Sequence, residues 1–183
     1  MNMSEIISNI YWLDIFFAVF LLFLLYKSLS SRVIRELILI FMSFVVIIGG
    51  LGYYDVLSGK LPDFLKLDLL NFISYFAIIF FSSAIFKFIL NFFIPASSDG
   101  AGTGEKLLNL VLTIIRAHLI FGMITILFLM VPVASLRNSI NNDSKTAKYF
   151  VKVNTAMYSW VSVKLSFLEP KAESQILKDM DIK

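Results

Sequence analysis

The chain has 183 residues, of which 58% are hydrophobic and only 16% are charged, and its formal net charge is +3. A water-soluble domain usually carries about a quarter charged residues, so this composition predicts a membrane protein. The small, dispersed charge argues against a nucleic-acid partner, and the absence of cysteine excludes disulfides, thiolate metal sites and thiol catalysis.

Four stretches of the sequence are long and apolar enough to cross a bilayer, which takes about 20 residues in a helix. They are apolar all round, whereas a soluble helix would show a polar face, and the period-2 alternation of a membrane barrel is missing. We therefore predict an all-α integral membrane protein with four transmembrane helices in antiparallel hairpins. The predicted spans are at about 6–26, 37–54, 69–94 and 107–131.

The first predicted span contains Asp14, which follows the aromatic residues Tyr11 and Trp12. Tryptophan and tyrosine favour the membrane–water interface, so Asp14 fits the outer edge of a shortened first span. The alternative is a helix that begins at Ile6, in which Asp14 is buried and must be protonated or paired.

The connection between the first two spans is short and basic, which predicts a tight helix hairpin. It carries Lys27, Arg32 and Arg35, whereas no lysine or arginine precedes the first span. The positive-inside rule then places this loop in the cytoplasm and both termini outside. The eight lysine and arginine residues after Val131 argue for the opposite orientation.

The third span contains Lys87, and a connection rich in glycine and serine leads from Pro95 into the fourth span. Within that connection, GAGTGEKL (100–107) is similar to a phosphate-binding loop. A glutamate separates its last glycine from the lysine, and leucine replaces the required serine or threonine, so no nucleotide cofactor is predicted.

The fourth span contains the cation Arg116, roughly 7–8 Å from the expected midplane at helical rise. Two placements are open: the long side chain reaches toward the headgroups, or it forms an ion pair inside the bundle with Glu36. In a topology with an even number of spans, four charged residues share one leaflet, namely Arg35, Glu36, Lys87 and Arg116.

No catalytic, cofactor or metal site is predicted from the sequence. His118 is the only histidine, and one histidine without cysteine does not close a metal site, so it is expected to be a packed bundle residue rather than a proton relay. No carboxylate pair or Ser-His-Asp arrangement emerges, and the chain is predicted not to be an enzyme.

The segment 133–168 is predicted to form a polar loop and an amphipathic helix from Lys145 to Leu165, with Asp143 or Ser144 as its cap. An aromatic, apolar face flanked by lysines suits the lipid headgroup boundary, and the alternative is that this helix packs on the bundle. That face consists of Tyr149, Val153, Ala156 and Trp160. A polar tail is predicted at 169–183.

Three motifs resemble the colicin V production protein family, whose members are bacterial inner-membrane proteins with four predicted spans. YWLDIFFAVFLL (11–22) resembles the opening of the family, and SRVIREL (31–37) resembles its Arg-Gly-x-x-Arg-Glu element. GTGEKLLNLVLTIIRAHLI (102–120) resembles its Gly-Thr-Asp-Arg start and later Arg-Gly pair. The residues that carry the resemblance are Trp12, Asp14, Arg35, Glu36, Thr103, Glu105, Lys106 and Arg116.

The chain departs from the family pattern at several glycines. Arg32 stands at a glycine position of the first loop, and Asn109, Thr113 and Ala117 replace small glycines of the fourth span. Glycines at those positions let helices approach closely, so their replacement predicts a looser helix crossing at that face.

The resemblance implies a multi-pass protein of the bacterial inner membrane that is accessory to toxin production or export, or to an envelope function on which export depends. Its expected partners are the lipid bilayer and other membrane proteins, or further copies of itself, and no chemical activity is implied. The alternatives are an anchor domain, or an oligomeric channel or transporter subunit with a polar path through Asp14, Glu36 and Arg116. The candidate functional polar residues are Asp14, Arg35, Glu36 and Arg116.

Overall fold

The computed structural model describes residues 12–61, 67–94, 102–131, 133, 136–137, 140, 144–165 and 168. Five helices follow one another along these residues, and the described part of the chain contains no strand, which confirms the predicted all-α class. The helices are α1 (Trp12–Ser28), α2 (Val33–Ser58), α3 (Leu67–Phe93), α4 (Thr103–Met130) and α5 (Lys145–Ser162). The predicted start of the first span at 6–11, the residues at 138–139 and 141–143, and the predicted tail at 169–183 lie outside the described residues.

Three of the helices are long and apolar enough to cross a membrane. These are α2, α3 from Leu69 onward, and α4, whose mean hydropathies are 2.3, 2.0 and 2.2. Helix α1 has 17 described residues, fewer than the roughly 20 that a full crossing requires. The second, third and fourth predicted spans are therefore matched by spanning-length helices. The first predicted span, at about 6–26, stays a prediction.

The helices extend beyond the apolar runs from which the spans were predicted. Helix α2 begins at Val33, four residues before the predicted span, and α4 begins at Thr103. Hydropathy marks only the part of a helix that tolerates hydrocarbon, whereas backbone hydrogen bonding continues through charged turns beyond it. As a result, Arg35 and Glu36 lie in the first turn of α2 rather than in a loop.

Helix α4 is the centre of the fold, because it contacts each of the other four helices. Its contacts with α1 and α5 include an aromatic cluster, in which the Phe17 ring stacks 4.6 Å from Phe121 and meets the edge of Phe150 at 5.4 Å. Helix α2 packs on both α3 and α4. The arrangement brings α2, α3 and α4 together at the start of α2, where the candidate charged residues lie.

Helix α3 is the most exposed of the three spanning-length helices. Only 17% of its spanning window is buried inside the fold. Phenylalanine is the commonest of its exposed side chains, followed by isoleucine. Large apolar side chains exposed over such an area are unfavourable in water but compatible with lipid. The exposed phenylalanines of α3 are Phe76, Phe80, Phe81, Phe88, Phe92 and Phe93.

Helix α5 packs on the bundle, which is one of the two roles that the sequence left open. One face packs on the bundle and buries Phe150, Val151 and Tyr158. The predicted aromatic face lies at the margin of this packing, since Tyr149 and Trp160 are exposed. A helix that packs along one side and exposes aromatic residues beside it is suited to the edge of a bilayer.

Candidate functional site

Arg116 and Glu36 form an ion pair in the interior of the bundle. Arg116 Nη1 donates to Glu36 Oε2 at 2.5 Å, and only 6% and 2% of the two residues are exposed. One partner lies midway along α4 and the other in the first turn of α2. Of the two placements considered for Arg116, the structure shows the paired one, and its guanidinium is enclosed by protein.

Arg35, the neighbour of Glu36, binds a different helix. Its Nη1 donates to the carbonyl oxygen of Ile94 at 2.6 Å, and its Nη2 donates to Asn91 Oδ1 at 2.7 Å. Two consecutive residues at the start of α2 therefore hold the end of α3 and the middle of α4. Charge-assisted hydrogen bonds of this kind are stronger than neutral ones, so this turn of α2 is a joint between three helices.

The face of α4 on which the family glycines are replaced is closely packed. Asn109, Thr113 and Ala117 are buried, and the first two have no exposed surface. Asn109 Nδ2 donates to the carbonyl oxygen of Ser31, which fixes α4 to the connection between α1 and α2. The side chain that replaces a glycine here therefore supplies a hydrogen bond between helix and connection.

A cavity of about 500 Å³ lies between α1, α2, α3 and α4, next to the ion pair. Its volume is within the range of small-molecule sites, roughly 300–1,000 Å³. The residues expected in one leaflet, Arg35, Glu36, Lys87 and Arg116, all line this cavity, together with Lys27. The structure thus assembles three of the four candidate functional residues at one place.

Asp14 is the candidate that lies elsewhere. It is in the first turn of α1, and its Oδ1 accepts a hydrogen bond from Ser144 Oγ at 3.0 Å. Ser144 in turn accepts from the Ala147 amide at 3.1 Å, which confirms it as the cap of α5. Asp14 lies at the start of α1, whereas Glu36 lies beyond its end, and α1 is roughly 25 Å long. The described residues show no polar path that connects Asp14 with Glu36.

The profile of the Colicin V production protein family matches residues 13–155. The chain belongs to this family. The match covers most of the chain and includes Asp14, Arg35, Glu36 and Arg116, so it confirms the resemblance seen in the sequence motifs. No curated protein and no solved structure matches the chain. Family membership and three apolar, spanning-length helices together indicate a membrane protein.

In this member of the colicin V production family, His118 packs against aromatic rings. It is half-buried, and its ring lies 4.6 Å from Phe150 and 5.3 Å from Tyr149, nearly perpendicular to both. Within the described ranges, no three residues of the kinds that bind metal ions come together. The contacts of His118 are those of a packing residue between α4 and α5.

Two asparagines of this family member have structural roles that the sequence analysis missed. Asn91 is the side-chain acceptor for Arg35, and Asn154 donates from Nδ2 to the carbonyl oxygen of Leu119 at 3.1 Å. For Asn91 the available signal was an amide within a largely apolar helix, because a polar group there requires a partner. Asn154 lies in an amphipathic helix, where an asparagine carries no such signal. Neither partner could be named from spacing, since each lies on another helix.

Proposed function

We propose that this protein is a polytopic protein of the bacterial inner membrane that supports toxin production or export, or an envelope function on which export depends. It acts by contacting other membrane components and catalyses no reaction. The family match supports a role in toxin production or export. One observation supports action through contacts rather than through catalysis. The Arg116–Glu36 pair is enclosed and joins two helices, which is suited to maintaining the shape of the bundle rather than to reacting with a substrate.

The proposed topology has four spans, with α1 as the first and both termini outside. Lys27 lies in the last turn of α1, Arg32 precedes α2 and Arg35 lies in the first turn of α2, so three cations meet at one end of the first hairpin. This concentration supports a cytoplasmic position for residues 29–32. Cysteine-accessibility labelling in intact cells tests it: a cysteine at exposed Ser30 should be protected from an impermeant reagent, and one at exposed Gly59 should react.

The surface for lipid and for membrane partners is proposed to comprise the outer faces of α3 and α5. Phenylalanines cover the first of these, and the second has Tyr149 and Trp160 beside the exposed Lys152. Aromatic and basic residues together on one helix face favour the headgroup boundary. In this arrangement the internal charges hold the bundle, and the outer faces carry the interactions.

The proposal is tested in a bacterium that carries this protein and exports colicin V. Deleting the coding sequence should lower toxin in the medium, and the wild-type protein should restore it. Arg116→Leu should restore it poorly, because an unpaired buried Glu36 disturbs the bundle. Lys106→Leu is the matched control, since Lys106 is an exposed cation on the same helix.

Immunoblots of the membrane fraction separate loss of activity from loss of protein in this experiment. If the Arg116→Leu variant is present in the membrane at the normal level but export is reduced, the Arg116–Glu36 pair is needed for function and not only for stability. Wild-type export from the deletion strain would refute the proposed role in toxin production.

A further inference from the structure

The cavity beside the ion pair changes from charged to apolar along its length. On α2 its lining begins with Arg35 and Glu36 and continues to Val46, about 16 Å further along the helix axis. On α4 it passes from Arg116 to Met123 in the same direction. The apolar part of the lining on α2 and α4 comprises Leu39, Met42, Val46, Ile120 and Met123. Such a gradient matches a ligand with a polar head and an apolar chain.

The charged end of the cavity has more cations than its acid can neutralise. Lys27, Arg35, Lys87 and Arg116 line it, and Glu36 is the one carboxylate among its lining residues. Glu36 is already paired with Arg116, and Arg35 donates to uncharged acceptors on Asn91 and Ile94. Across the described part of the chain, neither Lys27 nor Lys87 forms an ion pair. The net field at this end therefore favours an anion.

Two buried polar atoms on the lining residues lack a hydrogen-bond partner. Arg116 Nε and Ser31 Oγ have none among the described residues, and both side chains are more than nine-tenths buried. Buried polar groups are normally hydrogen-bonded, so such atoms call for an explanation. A guanidinium N–H and a hydroxyl are both donors, and an anionic oxygen would satisfy them once the two side chains turn toward the cavity, because neither atom has accessible surface in this structure.

We propose that this cavity binds the anionic phosphate headgroup of a membrane phospholipid, with the upper part of an acyl chain along its apolar end. The headgroup lies between Lys27, Lys87 and Arg116, and the chain follows Met42 and Met123. Basic pockets between transmembrane helices are known to accept anionic headgroups. Inorganic phosphate shares the headgroup chemistry but leaves the apolar half of the cavity unfilled. The proposal depends on the membrane location and not on a role in toxin production.

The full chain, purified in a zwitterionic detergent, is titrated with phosphatidylglycerol, phosphatidylcholine and inorganic phosphate, and binding is measured by native mass spectrometry. Phosphatidylglycerol should bind more tightly than phosphatidylcholine. The double variant Lys27→Gln, Lys87→Gln should bind it on the order of 20-fold more weakly, at about five-fold for each cation. The matched control is Lys60→Gln, Lys106→Gln, which removes two exposed lysines outside the cavity and should leave binding unchanged.

A second variant tests the apolar end of the site. Met42→Trp should weaken binding of phosphatidylglycerol while leaving any binding of inorganic phosphate unchanged, and thermal unfolding verifies that the variant folds. Equal affinity for the two lipids would overturn the proposal, and so would undiminished binding by the double lysine variant. Binding of inorganic phosphate without binding of phosphatidylglycerol would also overturn it, because the occupant would then be a free anion.

Discussion

Arg116 and Glu36 are 80 positions apart in the chain and meet in a hydrogen-bonded ion pair that the bundle encloses. A buried pair of this kind adds little net stability compared with apolar residues of similar size. Removing one partner has a different effect from removing both, because the loss of one leaves the other as an uncompensated buried charge. The pair therefore specifies how α2 and α4 meet more than it strengthens their contact.

The first prediction concerns this asymmetry. Arg116→Leu alone, or Glu36→Leu alone, should destabilise the protein by about 3–5 kcal/mol, and the double variant should recover most of that loss. Thermal unfolding in detergent measures the effect, and Lys106→Leu on the same helix is the control. Additive losses in the double variant would show that the two residues act independently.

The sequence predicts that four charged residues lie at one end of the bundle, but it does not predict which groups they contact. An even number of antiparallel spans brings Arg35, Glu36, Lys87 and Arg116 to the same side regardless of orientation, and all four line one cavity. The depth of Arg116 in its span did not decide between a headgroup and an ion pair, since both lie within reach of its long side chain. That decision depended on how closely α2 approaches α4.

The contacts of Arg35 lay beyond sequence reasoning for a related reason. Its acceptors are a side-chain oxygen of Asn91 and the carbonyl of Ile94, more than 50 positions away. A backbone carbonyl has no sequence signature, and the helix that ends there was predicted from hydropathy alone. Helix length, type and order follow from apolar runs, whereas contacts between helices depend on packing that such runs do not encode.

The second prediction concerns the contact between α4 and α5 at Gly122. A Cβ at this position would lie 2.8 Å from the Phe150 carbonyl oxygen and closer still to the Asn154 side chain. Gly122→Ala should therefore destabilise the protein by about 1–3 kcal/mol, because both neighbours are buried and fixed. Gly104→Ala is the matched control on the same helix, since a Cβ there meets nothing within 4 Å. Similar unfolding temperatures for the two variants would contradict this close approach.

The third prediction uses two adjacent glycines of α2. A Cβ on Gly50 would lie 2.8 Å from the ring of Tyr75 in α3, whereas a Cβ on Gly49 meets nothing within 4 Å. Tyr75 is fully buried, so a shift of its ring disturbs the surrounding packing and Gly50→Ala should cost about 1–3 kcal/mol. Gly49→Ala should raise stability by roughly 0.5–1 kcal/mol, because glycine is a poor helix former. Unfolding in detergent distinguishes these opposite signs, and a loss at Gly49 equal to that at Gly50 would count against the packing of α2 on α3.

The fourth prediction concerns Ser144, whose hydroxyl caps α5 and also donates to Asp14 of α1. Ser144→Ala removes both bonds and should destabilise the first turn of α5 by about 1 kcal/mol, the usual effect of losing such a cap. Asp14→Leu should have a smaller effect, because the serine oxygen still accepts from the Ala147 amide. Asp14→Asn should have almost none, since its amide oxygen replaces the carboxylate as acceptor.

Hydrogen exchange at the Ala147 amide measures this cap directly. A loss of about 1 kcal/mol corresponds to roughly five-fold faster exchange wherever local opening controls the rate. Thr146→Ala is the control, because Thr146 is exposed in the same turn and takes no part in the cap. If Ser144→Ala and Thr146→Ala accelerated exchange equally, the hydroxyl would not be the capping group.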